Sequence, residues 1–171
     1  KRFEEELLHQ PIEEGDYREA LAKGRKCLPE YYKNYHESWG KNFLNEFKID
    51  GIEIAPDIKI NGKIDKIEIL DTSNKVNVVD YKTGKPKTRN VIAGKTASSD
   101  GDYKRQLVFY KLLLEKFNDG KYKMISGDID FVEPDDKGKF KKETFIINEE
   151  EVGELEKLIK KTGEEIMELA F

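Results

Sequence analysis

Among 171 residues, the stretch most able to do chemistry is Val78-Val79-Asp80-Tyr81-Lys82-Thr83-Gly84, preceded by Gly62-Lys63-Ile64-Asp65. Alternation along a strand puts Asp80 and Lys82 on one face, about 7 Å apart, with Tyr81 pointing away. If the two segments pair as a hairpin, Asp65 joins them there. Two carboxylates beside an ammonium make a hard, oxygen-rich site that suits Mg²⁺. A metal so held lowers the pKa of bound water and neutralises charge on a phosphoryl transition state, while the lysine stabilises the attacking oxygen. An isolated Asp-x-Lys is ordinarily a surface ion pair. Here Asp80 follows the apolar run Val76, Val78, Val79, and charges at the end of a buried strand need a reason.

Lys63 to Leu70 alternates as a strand, Asp71-Thr72-Ser73-Asn74 reads as a turn, and Val76 to Lys82 reads as the returning strand. Upstream, Phe43–Ile49 and Ile52–Ala55 read as short strands about a turn at Asp50-Gly51. Tyr17, Ala20, Leu21, Gly24, Cys27, Leu28, Tyr31 and Tyr35 recur at helical spacing, and Pro29 should kink that helix or start a second one. Downstream of Lys82, Gly84–Gly101 is a long irregular segment. A helix then follows over 103–117, with Asp100 or Asp102 as candidate cap. Two strands, Met124–Val132 and Phe140–Ile147, come next. A last helix opens with Asn148 as N-cap and Glu151 completing a capping box. The strand ending at Lys82, the helix and the strand from Met124 form a plausible right-handed parallel crossover. The class is α/β, a mixed sheet flanked by helices.

Composition bounds the rest. With 31 basic and 35 acidic residues the net charge is −4, yet Lys82 to Arg105 carries seven basic residues against two acids. An acidic body with a basic segment is compatible with a polyanionic partner. Nine Phe and eight Tyr argue against disorder. No apolar run is long enough to span a membrane. The lone Cys27 lies on the apolar stripe and reads as core, and it excludes an internal disulfide or an all-thiolate cluster within this chain. Ala93-Gly94-Lys95-Thr96 imitates the end of a phosphate-binding loop, but Arg89 stands where that motif needs its first glycine.

These elements, Gly62–Asp65, Val78–Gly84 and Gln106-Leu107-Val108-Phe109-Tyr110, resemble in order and context the RecB-like branch of the PD-(D/E)xK nucleases. The resemblance covers roughly residues 40 to 135. It implies a restriction-endonuclease-like fold, with Asp65 and Asp80 as ligands of Mg²⁺ or Mn²⁺ and the Tyr81 backbone carbonyl beside them. Lys82 would be the catalytic lysine. Gln106 and Tyr110 would position the strand, and Lys85, Lys87 and Arg89 would meet DNA phosphates. It further implies a DNA nuclease in repair or recombination, fed single-stranded DNA by a helicase in the same polypeptide or complex. The location would then be cytoplasmic and nucleoid-associated. The alternative is a catalytically impaired DNA-binding module of a helicase. Members usually carry a ligating His upstream. His9 and His36 lack its setting and read as surface or packing residues, so the chain is expected to be a fragment whose His precedes Lys1. No Cys follows Cys27, so an iron–sulfur cluster is not expected. The chain reads as one nuclease-like domain over 1–171, with a helical lead-in at 1–39, a catalytic core at 40–135, and a strand and C-terminal helix at 136–171.

Overall fold

Apolar and polar residues alternate from Phe43 to Lys82, and in the computed structural model, which describes residues 2–169, they form three successive antiparallel strands. These are β1 (Phe43–Ala55), β2 (Ile58–Ile69) and β3 (Lys75–Lys82). Two further strands, β4 (Lys123–Phe131) and β5 (Lys141–Phe145), complete a sheet of order β1-β2-β3-β4-β5. Lys123 N–H donates to the Asn74 carbonyl, and Ser126 meets Asn77, so β4 advances in parallel with β3. Thr144 meets Asp128 and Lys142 meets Asp130, so β5 returns antiparallel. The helices are α1 (Arg2–Leu8), α2 (Glu14–Tyr35), the single turn α3 (Arg89–Ile92), α4 (Asp102–Lys116) and α5 (Glu149–Glu168). Among the described residues no helix is long and apolar enough to cross a membrane.

The backbone divides into two compact units. The first comprises residues 2–39, Thr83–Pro86 and Phe131–Lys141. In it the Phe3 ring lies against Gly24, where a Cβ would approach the ring to 2.2 Å, and Arg25 binds Glu4 at 2.6 Å. Tyr31 meets the Phe140 ring edge-on at 5.6 Å, and Cys27 is buried, as its place on the apolar stripe predicts. Pro29 lies inside α2, so it does not start a second helix.

The second unit holds β1 to β3, most of β4 and of β5, and α3, α4 and α5. In the centre of its sheet Val76, Val78 and Val79 on β3 are buried, as is Asn77 between them, so the strand is covered on both faces. One face is packed by α4 through Leu107, Leu113 and Leu114. The opposite face carries polar side chains that satisfy one another. The Asn77 amide donates to Glu68 at 3.1 Å and to Asp128 at 3.0 Å, Thr144 donates to Asp128 at 2.7 Å, and Lys66 pairs with Glu68 at 2.7 Å. Such pairs have one register, because a slip of one residue would turn them to the other face.

Three local expectations are corrected. Asp50-Gly51 is a bulge within one long β1 rather than a turn between two strands; Gly51, at φ +70°, donates its N–H to Asn61 Oδ1, and the chain reverses instead at Pro56-Asp57. The segment after Gly84 is not wholly irregular, because Thr88 caps the turn α3 by accepting from Val91 N–H. Neither Asp100 nor Asp102 caps α4; the N-cap is Gly101, at φ +77°, with no side-chain hydrogen bond. The capping box at Asn148 and Glu151 forms as read.

Gly62 on β2 is the close-approach point of α4. A Cβ there would lie 2.3 Å from Leu113 Cδ1 and 3.3 Å from Phe109 Cε1. Because Leu113 is fully buried, Gly62→Ala should destabilise the fold by about 1–3 kcal/mol through overpacking, read as a lowered urea midpoint at unchanged m-value.

Candidate active site

The β2–β3 register pairs Ile67 with Val78 and Lys66 with Val79, so one step further Asp65 stands opposite Asp80. Asp65 Oδ2 accepts the Tyr81 N–H at 2.9 Å, which ties that carboxylate to the backbone between Asp80 and Lys82. Asp80 is 1% exposed. Its Oδ1 accepts from the Tyr110 hydroxyl at 3.1 Å, and its Oδ2 lies 2.6 Å from Lys82 Nζ. Lys82 Nζ donates to Gln106 Oε1 at 2.6 Å, and Gln106 Nε2 donates to the Tyr110 oxygen at 2.7 Å. Asp80, Lys82, Gln106 and Tyr110 thus close a ring between the end of β3 and one face of α4. The helix supplies two members because residues four apart share a face.

Burial raises the Asp80 carboxyl above its ordinary range, Lys82 and the Tyr110 hydroxyl pull it back, and the charge of Asp65 adds to the rise. Burial, followed by the Asp80 charge, raises the Tyr110 phenol, so it stays a neutral donor. Asp80 Oδ2 is buried and makes no hydrogen bond of ordinary geometry, its close contact with Lys82 being an ion pair. A buried carboxylate oxygen in that state, with Asp65 registered opposite, is a hard oxygen donor that could hold a divalent metal. Among the described residues no three His, Cys, Asp or Glu gather as a metal site. His9 and His36 bind carbonyls of their own helical turns, Glu5 and Tyr32, as surface histidines do.

The basic residues divide. Lys87 lies over the Tyr103 ring at 4.4 Å, and Lys82 lies over the same ring at 4.8 Å. Arg89 is turned to β5, where it binds Glu143 at 3.1 Å and the Thr144 carbonyl at 2.8 Å and stacks on Phe145. Lys85 belongs to the first unit and pairs with Asp136 at 2.8 Å. The structure therefore gathers Asp65, Asp80, Lys82, Gln106 and Tyr110, with Lys87 one ring away, and does not gather Arg89. Tyr103 is a residue that the sequence reading does not single out for the site; its spacing of three and seven from Gln106 and Tyr110 is the signal that places it on their face.

A mixed five-stranded sheet flanked by helices, with this cluster at the end of its central strand, is the restriction-endonuclease-like nuclease fold. The chain belongs to the PD-(D/E)XK nuclease superfamily, whose family model matches residues 1–171. Nucleases of this superfamily use divalent metals. Among solved structures the chain is similar to one titled "Crystal structure of SSO0001", at 16% identity and a TM-score of 0.43 over 84% of this chain. It spans 56% of that chain, little more than half its length. No curated protein matches the sequence.

Tyr110→Phe strips Asp80 Oδ1 of its donor and should cost about 1–3 kcal/mol near neutral pH. The lost hydrogen bond lowers the Asp80 pKa in the native state, so its removal raises that pKa further. A carboxyl whose folded pKa lies above its unfolded value destabilises the fold when ionised and ceases to do so once protonated. The penalty should therefore shrink as pH falls through the raised Asp80 pKa toward the ordinary carboxylate range, measured by urea unfolding of both proteins across that window.

Proposed function

We propose that this chain is a metal-dependent deoxyribonuclease module that hydrolyses phosphodiester bonds in single-stranded DNA. The observation that carries the reading is the closed ring of Asp80, Lys82, Gln106 and Tyr110 with Asp65 registered opposite Asp80. Asp65, Asp80 and the Tyr81 carbonyl would hold Mg²⁺ or Mn²⁺. When bound, that ion supplies Lewis-acid polarisation of the phosphoryl oxygen and eases loss of a proton from water.

The remaining work falls to the chain's own residues. Tyr110, kept neutral, fixes one oxygen of Asp80 so that the other faces the cradle. Lys82, held between Asp80 and Gln106, presents a cation to the attacking oxygen and to the charge that grows on phosphorus-bound oxygens. Gln106 sets the direction of the lysine. Lys87 extends the cationic surface along the strand and would meet a neighbouring phosphate; Arg89 would join it only by leaving Glu143. The motif set from Gly62 to Tyr110 supports a RecB-like role in which a helicase, in the same polypeptide or complex, delivers the strand during repair or recombination.

The two-carboxylate cradle also favours a second reading, a DNA-holding module without turnover. Incubation with end-labelled single-stranded DNA and Mn²⁺ separates the two. The nuclease reading expects cleavage that Lys82→Ala and Asp80→Ala each reduce by about 100-fold or more. Absence of cleavage alongside DNA affinity that falls steeply with salt supports the holding module instead.

The metal cradle has its own readout. Mn²⁺ should raise the thermal midpoint of the native chain and leave that of Asp80→Ala unmoved, because a ligand stabilises only the state that binds it. An equal rise in both proteins would place the ion elsewhere.

A further inference from the structure

Lys82 has three partners, of which two belong to the motifs already discussed and the third does not. Its ammonium touches Asp80 Oδ2 and Gln106 Oε1, each at 2.6 Å, and it also lies 4.8 Å from the centre of the Tyr103 ring. The Lys87 ammonium lies over the same ring at 4.4 Å. Tyr103 occupies the first turn of α4, on the face that carries Gln106 and Tyr110. We propose that Tyr103 is the positioning residue of this site, whose ring holds the Lys82 ammonium in place while Asp80 is engaged by a divalent ion. The inference rests on the nuclease reading above.

The physical case lies in what each partner can do once a cation competes for it. Asp80 Oδ2 is the counter-charge of Lys82, and it is also the buried oxygen best placed to ligate a metal. A divalent ion drawn to that carboxylate weakens its hold on the lysine and repels the ammonium. Gln106 then retains Lys82 through one hydrogen bond, on a side chain with four rotatable bonds. An aromatic face attracts an ammonium within about 6 Å and is no ligand for Mg²⁺ or Mn²⁺, so its attraction persists when the carboxylate is shared. The Tyr103 ring is thus the partner of Lys82 that the metal cannot take. Lys87 on the same ring sets a second cation beside the first, at the point where a phosphate next to the scissile one would draw it away from the ring.

The test compares Tyr103→Leu with Tyr103→Phe in the full chain. Limited acetylation with acetic anhydride at one fixed pH, followed by mass spectrometry, reads the accessibility of Lys82 against the exposed Lys157. Tyr103→Leu should raise Lys82 labelling about threefold or more, and further with Mg²⁺ present, while Tyr103→Phe, which keeps the ring, labels as the native chain does. On single-stranded DNA with Mn²⁺, Tyr103→Leu should lower kcat about three- to tenfold with KM within about twofold, and Tyr103→Phe should restore it. Should Tyr103→Leu lack a cooperative melt, Tyr103→Met, which fills more of the ring's volume, takes its place. Lys82 labelling at the native rate in a folded ring-less variant overturns the proposal. A native chain with no nuclease activity overturns the function proposed above and leaves the labelling to decide on Tyr103.

Discussion

A carboxylate that is almost wholly buried and ion-paired with a lysine is the constraint around which the second unit is arranged. Asp80 reaches that position because β3 is the middle strand of the sheet and α4 lies across its end. Burial alone would neutralise it. Lys82, on the same strand, and Tyr110, on α4, offset the cost, and both Tyr110 and the Gln106 that holds Lys82 depend on α4 lying close. That closeness depends in turn on Gly62, where β2 offers no side chain to Leu113. The chemistry at one end of β3 and the packing in the middle of β2 are therefore one requirement. A group held in this way is poor for stability, and under the proposed function a bound cation would relieve what burial imposes.

The two faces of the same strands divide the labour. Asp80 and Lys82 point to the helix side, and Asn77 points to the other, where Glu68, Asp128 and Ser126 receive it and Thr144 in turn binds Asp128. The polar network behind the sheet has no contact with Asp80, yet it holds β3 and β4 in the one register that puts Asp80 forward. Lys142 closes the network at β5 by pairing with Asp130 at 3.0 Å. Burial works against the charge of that lysine, but the aspartates beside it prevail and raise its pKa.

Much of this was legible from residue order. The alternation of Ile64, Asp65, Ile67 and Ile69 against Val76 to Lys82 foretells the hairpin, while the meeting of Asp65 with Asp80 hangs on a register that residue order leaves open and the structure supplies. The capping box at Asn148 is equally local, and it forms as read. What escaped were features decided at a distance. Asp50-Gly51 has the look of a turn, and only the continuation of β2 opposite it makes it a bulge. Arg89 reads as a phosphate-seeking residue in a basic loop, but Glu143, Thr144 and Phe145, more than fifty positions later, claim it. Tyr103 reads as helix packing because nothing in the sequence says that two lysines will lie over its ring.

Gly94 and Gly101 meet backbone to backbone: a Cβ on Gly94 would stand 2.9 Å from the Gly101 Cα. Residues 95–100 leave and rejoin the fold through a single narrow neck just before α4 begins. The excursion is tied across its base, with Ser99 bonded to the Val91 carbonyl. Ala97 and Ser98, both exposed, mark a place where the chain's length is decoupled from the geometry of its chemistry. Relatives that differ there by added residues, or an engineered chain bearing a reporter, would keep the same reactive centre, since insertion beyond a closed neck changes only how far the loop reaches.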